Sequence, residues 1–139
     1  KHYGYRISQN PNGGSIVNIS SDLGLIAPDQ NLYKKDGVND NLQNVKPVTY
    51  SVVKTGLIGL TRYLATYWAD KNVRCNVMCL GGVENGQPDG FIKEVSKRIP
   101  MGRMANADEY QGTLLWMLSD ASSYLNGAII AVEGGRTAW

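Results

Sequence analysis

Tyr50 and Lys54 lie four residues apart in a stretch without internal proline. On a helix that spacing puts both side chains on one face, close enough for an ammonium to act on a phenol. An isolated phenol titrates at about 10, and a neighbouring cation favours its ionised form, so such a pair can donate or accept a proton. Proton transfer also needs a group that holds the reacting oxygen. Ser21 ends a short run rich in β-branched residues and offers a hydroxyl for that task. In open α/β sheets ligands sit beyond the carboxyl ends of the strands, where Ser21 and the segment after Leu80 are both expected.

The elements that must hold these groups are readable as patterns. Asn12-Gly13-Gly14 signals a turn, and residues 15–20 (Ser-Ile-Val-Asn-Ile-Ser) read as a strand that ends at Ser21. Residues 28–46 are polar, with Lys34 and Lys35 among Asp, Asn and Gln, and they are too long for a simple connector. An apolar stripe of Val53, Leu57, Leu60, Leu64 and Trp68 behind Pro47 predicts the strongest helix, over residues 47–70. Residues 73–80 alternate as a strand does, and Gly81-Gly82 breaks them. Residues 84–103 read as irregular. Asn106 with Glu109 resembles a helix cap, opening a second helix that carries Leu114, Leu115 and Leu118. A last strand over 128–132 ends at Gly134-Gly135. Strands alternating with helical crossovers predict a layered α/β fold with parallel pairing and no internal repeat.

Composition narrows the function. With 139 residues, 42% apolar and 19% charged, the chain fits one globular unit. A net charge of +2, with its cations scattered, argues against a nucleic-acid partner or a membrane surface. A small-molecule partner is expected instead. No apolar run approaches the roughly 18 residues of a membrane span and no leader pattern opens the chain, so a cytoplasmic location is expected. Cys75 and Cys79 sit on one strand, where four residues span about 13 Å, beyond disulfide reach. They read as core residues, and no metal site is expected.

By itself Tyr-x-x-x-Lys is a weak signal, since eight tyrosines make about half an occurrence expected by chance. An ordered set of motifs surrounds it. Residues 14–21 (Gly-Ser-Ile-Val-Asn-Ile-Ser-Ser) are followed by 50–54 (Tyr-Ser-Val-Val-Lys), Asn76, Gly81-Gly82-Val83, 98–103 (Arg-Ile-Pro-Met-Gly-Arg) and Glu133-Gly134-Gly135. Together these resemble the short-chain dehydrogenase/reductase family across nearly the whole chain. The resemblance implies a partial doubly wound, Rossmann-like parallel sheet in three α/β/α layers. Residues 1–139 would be the carboxy-terminal part of a single domain that lacks its amino-terminal βαβ units. It implies that Tyr50 is the general acid/base, that Lys54 tunes it and holds the nicotinamide ribose, and that Ser21 positions the substrate. Gly81, Val83 and Asn85 would contact the nicotinamide end of NAD or NADP, Gly82 and Gln87 would face the substrate, and residues 84–104 would form a substrate lid.

The chain departs from that family in several places. Leu80 stands where proline is common, and Asn85 where threonine is common. Lys1 to Asn10 read as the end of a helix without its beginning, and the chain does not open with Met. The Gly-rich phosphate turn, the residue that reads the adenosine ribose and a helix Asn are absent, so the chain alone is expected to be inactive. Ser21 and Tyr50 are further apart than the family's usual spacing, which marks residues 28–46 as an insertion. That loop is expected either to wall the substrate, with Lys34, Lys35 or Lys46 meeting an acidic group, or to be merely solvated. In the family resembled, the long helix, which here displays Tyr63 and Tyr67, commonly packs on its partner's copy, so a homodimer or homotetramer is expected. A wide apolar stripe is equally what burial against the chain's own sheet requires. The closing Arg136-Thr137-Ala138-Trp139, together with residues 28–46 and 50–56 (Tyr-Ser-Val-Val-Lys-Thr-Gly), resembles a branch of flagellin-modification or sugar-biosynthesis reductases. The expected reaction interconverts a ketone and a secondary alcohol on a polar, sugar-like substrate. Four readings compete with it: a non-catalytic dimer-forming module, a 3-oxoacyl thioester reductase, a sugar-acid dehydrogenase and a two-domain sugar epimerase or dehydratase, the last disfavoured because little chain follows Lys54.

Overall fold

A computed structural model describes residues 2–139. Strands β1 (Gly14–Ser21), β2 (Val73–Leu80) and β3 (Ile129–Val132) form one parallel sheet in the order β1-β2-β3. β1 pairs with β2 from Gly14 opposite Val73 to Ser21 opposite Leu80, and β2 reaches β3 with Leu80 opposite Val132. All three strands therefore end along one edge. Helices α1 (His2–Ser8), α2 (Val48–Tyr67), α3 (Asp89–Ser96) and α4 (Gln111–Leu118) complete the architecture. The sequence reading placed all three strands within one residue at each end.

Two apolar clusters flank the sheet. On one face Ile58 of α2 packs with Val77 and Cys79 of β2 and with Ile129. On the other, Met117 of α4 and Tyr110 pack with Met78, Val17 and Ile130. The alternation of Val77, Met78 and Cys79 feeds both faces, as expected of a strand covered on each side. Three layers result, α2 on one face and α4 on the other.

The buried face of α2 differs from the predicted stripe. Val53 and Leu60 are 59% and 44% exposed, while Ile58, Thr61 and Ala65 are buried against the sheet. Small residues let the helix approach the strands closely, which a large apolar stripe would prevent. Thr61 is satisfied there: its hydroxyl donates to Leu57 O at 2.8 Å and accepts from Asn18 Nδ2 at 2.8 Å. In the second helix the inward residues are Met117 and partly buried Leu114, whereas Leu115 is 68% exposed. A single turn of 3-10 helix, Ala107–Tyr110, precedes α4 and shifts its face.

Asn76 does structural work from inside β2. Its Nδ2 donates to Leu125 O, and its Oδ1 accepts from Ala128 N, each at 2.9 Å, which fixes the entry of β3. The turn before β1 needs glycine at Gly13, where φ is 68° and an added Cβ would stand 1.9 Å from Asn72 O.

Residues 84–103 are not irregular throughout. Pro88 caps α3, and Val95, Ile99 and Met104 form a buried cluster with Phe91, Ile92 and Leu32. Leu32 belongs to residues 28–46, so this long excursion packs against α3. Asp29 accepts from Arg98 Nε at 2.7 Å, adding a polar tie between the two segments. The excursion also closes on itself. Gln43 accepts from Lys35 N at 2.8 Å and donates to Lys35 O at 3.0 Å and Val38 O at 2.8 Å.

Two outcomes test this packing. Cys75 and Cys79 are 0% exposed and unlinked, and burial pushes the Cys75 thiol up to about 11. Neither thiol is expected to react with Ellman's reagent in the native whole protein, and both should react after denaturation. Arg103 holds Glu109 through two 2.6 Å bonds, and Asn106 N donates to the same carboxylate at 2.8 Å. These bonds bring Glu109 from its ordinary 4.5 to about 2. A carboxyl lowered in the folded state contributes stability that is full above its unfolded value and is lost as pH falls toward the folded one. Glu109→Gln should therefore flatten the urea midpoint between pH 4.5 and about 2, while leaving its slope at neutral pH unchanged.

Candidate active site

The strand ends open onto a cavity of about 370 Å³ lined by residues from β1, α2, the turn after β2, α3 and the carboxy-terminal segment. Ser21, Tyr50 and Lys54 all line it, as do Gly81, Gly82, Val83 and Gln87. Asn85 is outside that lining and is exposed. Its backbone N–H donates to Gln87 Oε1 at 2.7 Å, while Gln87 Nε2 donates to Val83 O at 2.8 Å. The Gln87 amide thus staples the 83–87 turn with both its ends.

Local bonds hold α2 at the strand end. Ser20 Oγ donates to Lys54 O at 2.7 Å, and Lys54 Nζ donates to Ile19 O at 3.2 Å. The Lys54 ammonium lies 5.7 Å from the centre of the Tyr50 ring. Lys46 is nearer, with its ammonium 3.9 Å from that centre. Among the described residues no protein group takes the Tyr50 hydroxyl, which leaves it free for a ligand.

Ser21 sits in a charged network. Its Oγ donates to Asp22 Oδ1 at 2.8 Å and accepts from Leu23 N at 3.2 Å. Asp22 Oδ1 also accepts from Leu23 N, and Asp22 Oδ2 pairs with Arg136 at 2.8 Å. The Arg136 and Asp22 side chains are only 10% and 4% exposed. Tyr33, from the excursion over residues 28–46, is a further wall residue. Burial pushes its phenol above the ordinary value, with Asp22 and Tyr50 adding to the rise and Arg136 opposing it. Tyr33 is therefore a neutral hydrogen-bond donor near pH 7.

Asp22, Tyr33 and Arg136 were not predicted as site residues from sequence, where Arg136 figured only in the closing motif. Asp22 follows Ser21 directly, and an acid beside a candidate hydroxyl was a usable signal. Arg136 lies 114 positions from its partner, a pairing that only the folded chain reveals.

The floor at the end of β2 suits the flat end of a cofactor. Gly81 passes so close to β3 that a Cβ would stand 2.9 Å from Glu133 Cα, and Tyr110 donates to Gly81 O at 3.0 Å. With no side chain at Gly81 or Gly82, backbone groups face the cavity beside the phenol and the ammonium.

The chain is similar in sequence and fold to known proteins. The family model described as enoyl-(acyl carrier protein) reductase matches residues 4–137. The chain is 31% identical over 122 residues to post-translational flagellin modification protein A of Campylobacter coli, covering 88% of this chain and 45% of that protein. It is 29% identical over 130 residues to 2-dehydro-3-deoxy-D-gluconate 5-dehydrogenase of Escherichia coli K12, covering 89% and 45%. The crystal structure of a short chain dehydrogenase from Leptospira borgpetersenii serovar Hardjo-bovis with bound NAD+ superposes with a TM-score of 0.84 at 29% identity, covering 98% of this chain and 50% of that one. The chain belongs to the short-chain dehydrogenase/reductase family of oxidoreductases, with that family's Rossmann-like α/β fold. It spans about half the length of the relatives it matches. Among the described residues no helix is long and apolar enough to cross a membrane.

Removing one partner of a buried ion pair strands the other charge and costs about 3–5 kcal/mol, whereas replacing both is far milder. Arg136→Met should therefore destabilise the whole protein by about 3 kcal/mol or more in urea denaturation. Arg136→Met combined with Asp22→Asn should recover most of that loss.

Proposed function

We propose that the whole protein is an NAD- or NADP-dependent oxidoreductase that interconverts a ketone and a secondary alcohol. The carrying observation is that Ser21, Tyr50 and Lys54, from two separate elements, line one cavity at the carboxyl edge of a parallel sheet. The donor set fits a nicotinamide ribose and carboxamide: the ammonium of Lys54, the hydroxyl of Tyr50 and the open backbone of Gly81 and Val83, with Asn85 on the adjoining turn. A nicotinamide bound there supplies or accepts the hydride.

The chain's own groups manage the proton and the oxygen. In reduction Tyr50 Oη gives its proton to the carbonyl oxygen, and in oxidation it removes the proton of the alcohol. Lys54, tethered to Ile19 O, keeps a positive charge beside the phenol as it changes ionisation. Ser21 Oγ, whose proton points to Asp22 in the resting chain, offers a lone pair to the substrate hydroxyl and turns its O–H to a ketone. Gly82 and Gln87 border the substrate, and α3 with residues 28–46 excludes water over it.

A polar, sugar-like substrate is supported by the hydroxyl, amide and ammonium groups on the walls. The likeness to a dehydrogenase named for a deoxygluconate, and to a flagellin modification protein, supports it further. The chain has no Gly-rich phosphate turn, which supports its being inactive by itself. Outward-facing Val52, Tyr63 and Tyr67 on α2 support a homodimer or homotetramer in the whole protein.

A screen of alcohols and ketones against the whole protein, followed by nicotinamide absorbance, tests the proposal. Tyr50→Phe is expected to lower kcat by about 100-fold or more on any active substrate. Undiminished turnover in that variant removes Tyr50 from its role.

A further inference from the structure

We propose that Lys46 is the anion-recognising residue of this cavity, and that the substrate is a small hydroxy or keto acid whose carboxylate pairs with its ammonium. The inference rests on the oxidoreductase reading above and narrows it to a substrate class.

The lining of the cavity contains three cations, Lys46, Lys54 and Arg136, against one carboxylate, Asp22. Asp22 is fully engaged, by Arg136 on one oxygen and by Ser21 and Leu23 N on the other. Arg136 is spent on Asp22. Lys54 is tethered to Ile19 O and is needed beside the reacting phenol. Lys46 alone of the three has no carboxylate or carbonyl partner among the described residues, and its ammonium rests over the Tyr50 ring at 3.9 Å. An ammonium on a partly buried side chain, held against an aromatic face in a cavity of net positive charge, favours an anionic ligand.

Lys46 is also held in place. Its backbone N donates to Gln30 Oε1 at 2.8 Å, and its carbonyl accepts from Gln30 Nε2 at 3.4 Å. Gln30 is therefore a positioning residue that closes the base of the inserted loop and sets where the ammonium emerges. Immediately afterwards Pro47 stands as the cap before α2, which limits backbone freedom on the other side. The cations at the loop's tip have no such placement: Lys34 and Lys35 are exposed and do not line the cavity. A carboxylate on Lys46 and a reacting hydroxyl at Tyr50 Oη would stand on the same phenol ring. A short acid bearing its alcohol or ketone a few carbons from the carboxylate meets both.

The test uses the whole protein with D-gluconate and D-galactonate as acid probes, and D-glucitol and D-galactitol as their uncharged counterparts. The parent is expected to favour the acids in kcat/KM by about 10-fold or more, the range of one hydrogen bond to a charged group. Lys46→Met, which keeps the aliphatic stem, is expected to raise KM for the acids by about 30-fold with kcat nearly unchanged. The same variant should lower kcat/KM for the uncharged probes far less than for the acids, and Lys46→Arg should restore much of the loss. An equal fall for acids and alcohols would assign Lys46 to Tyr50 instead and overturn the proposal, as would no fall at all. Calorimetric titration of D-gluconate reads the site without turnover. Binding by the parent and by Tyr50→Phe, lost in Lys46→Met, supports the anion site even if the redox reading fails. Absent or equal binding in parent and Lys46→Met rejects it.

Discussion

The close seating of α2 on β1 and β2 is the constraint from which the site follows. Ile58, Thr61 and Ala65 are the residues that meet the sheet, and two of them are small. Asn18 bonds to Thr61 across the gap, and Ser20 bonds to the Lys54 carbonyl one strand-repeat further on. A helix seated this closely cannot rotate or slide without breaking these partly buried bonds. Its amino-terminal turns therefore arrive at the strand ends in one orientation, and Tyr50 and Lys54 arrive with them.

The parallel register carries the same constraint across the sheet. Because Ser21, Leu80 and Val132 end in line, the hydroxyl, the glycine turn and the carboxy-terminal segment all meet at one edge. Asp22 and Arg136 then lock that edge from opposite ends of the chain. Their pairing places a charge network directly behind Ser21, so the direction of the serine proton depends on a residue near the end of the chain.

Much of this was legible in sequence where the signal is local. The β-branched runs gave the strands, the Gly81-Gly82 break gave the end of β2, and the reach of Glu109 back to Asn106 gave the start of the second helix. Tyr50, Lys54 and Ser21 were identified from residue type, spacing and ordered motifs, and they do line one cavity. The buried side of α2 was misjudged because periodicity counts large apolar residues, whereas contact with a sheet selects small ones such as Ala65. Helix α3 was hidden by Gly90 and by the prolines that bound it. Arg136 on Asp22 and Leu32 on α3 pair segments far apart in sequence, so no local pattern announces them.

The excursion over residues 28–46 is built as two nested closures. Gln30 ties its base to Lys46, and Gln43 separately gathers Lys35 and Val38 at the tip. Changes of length or composition in the outer ring are thereby insulated from the inner one, whose anchors lie against α3 and α2. Such nesting lets the outer ring vary over generations while the walls of the cavity keep their places.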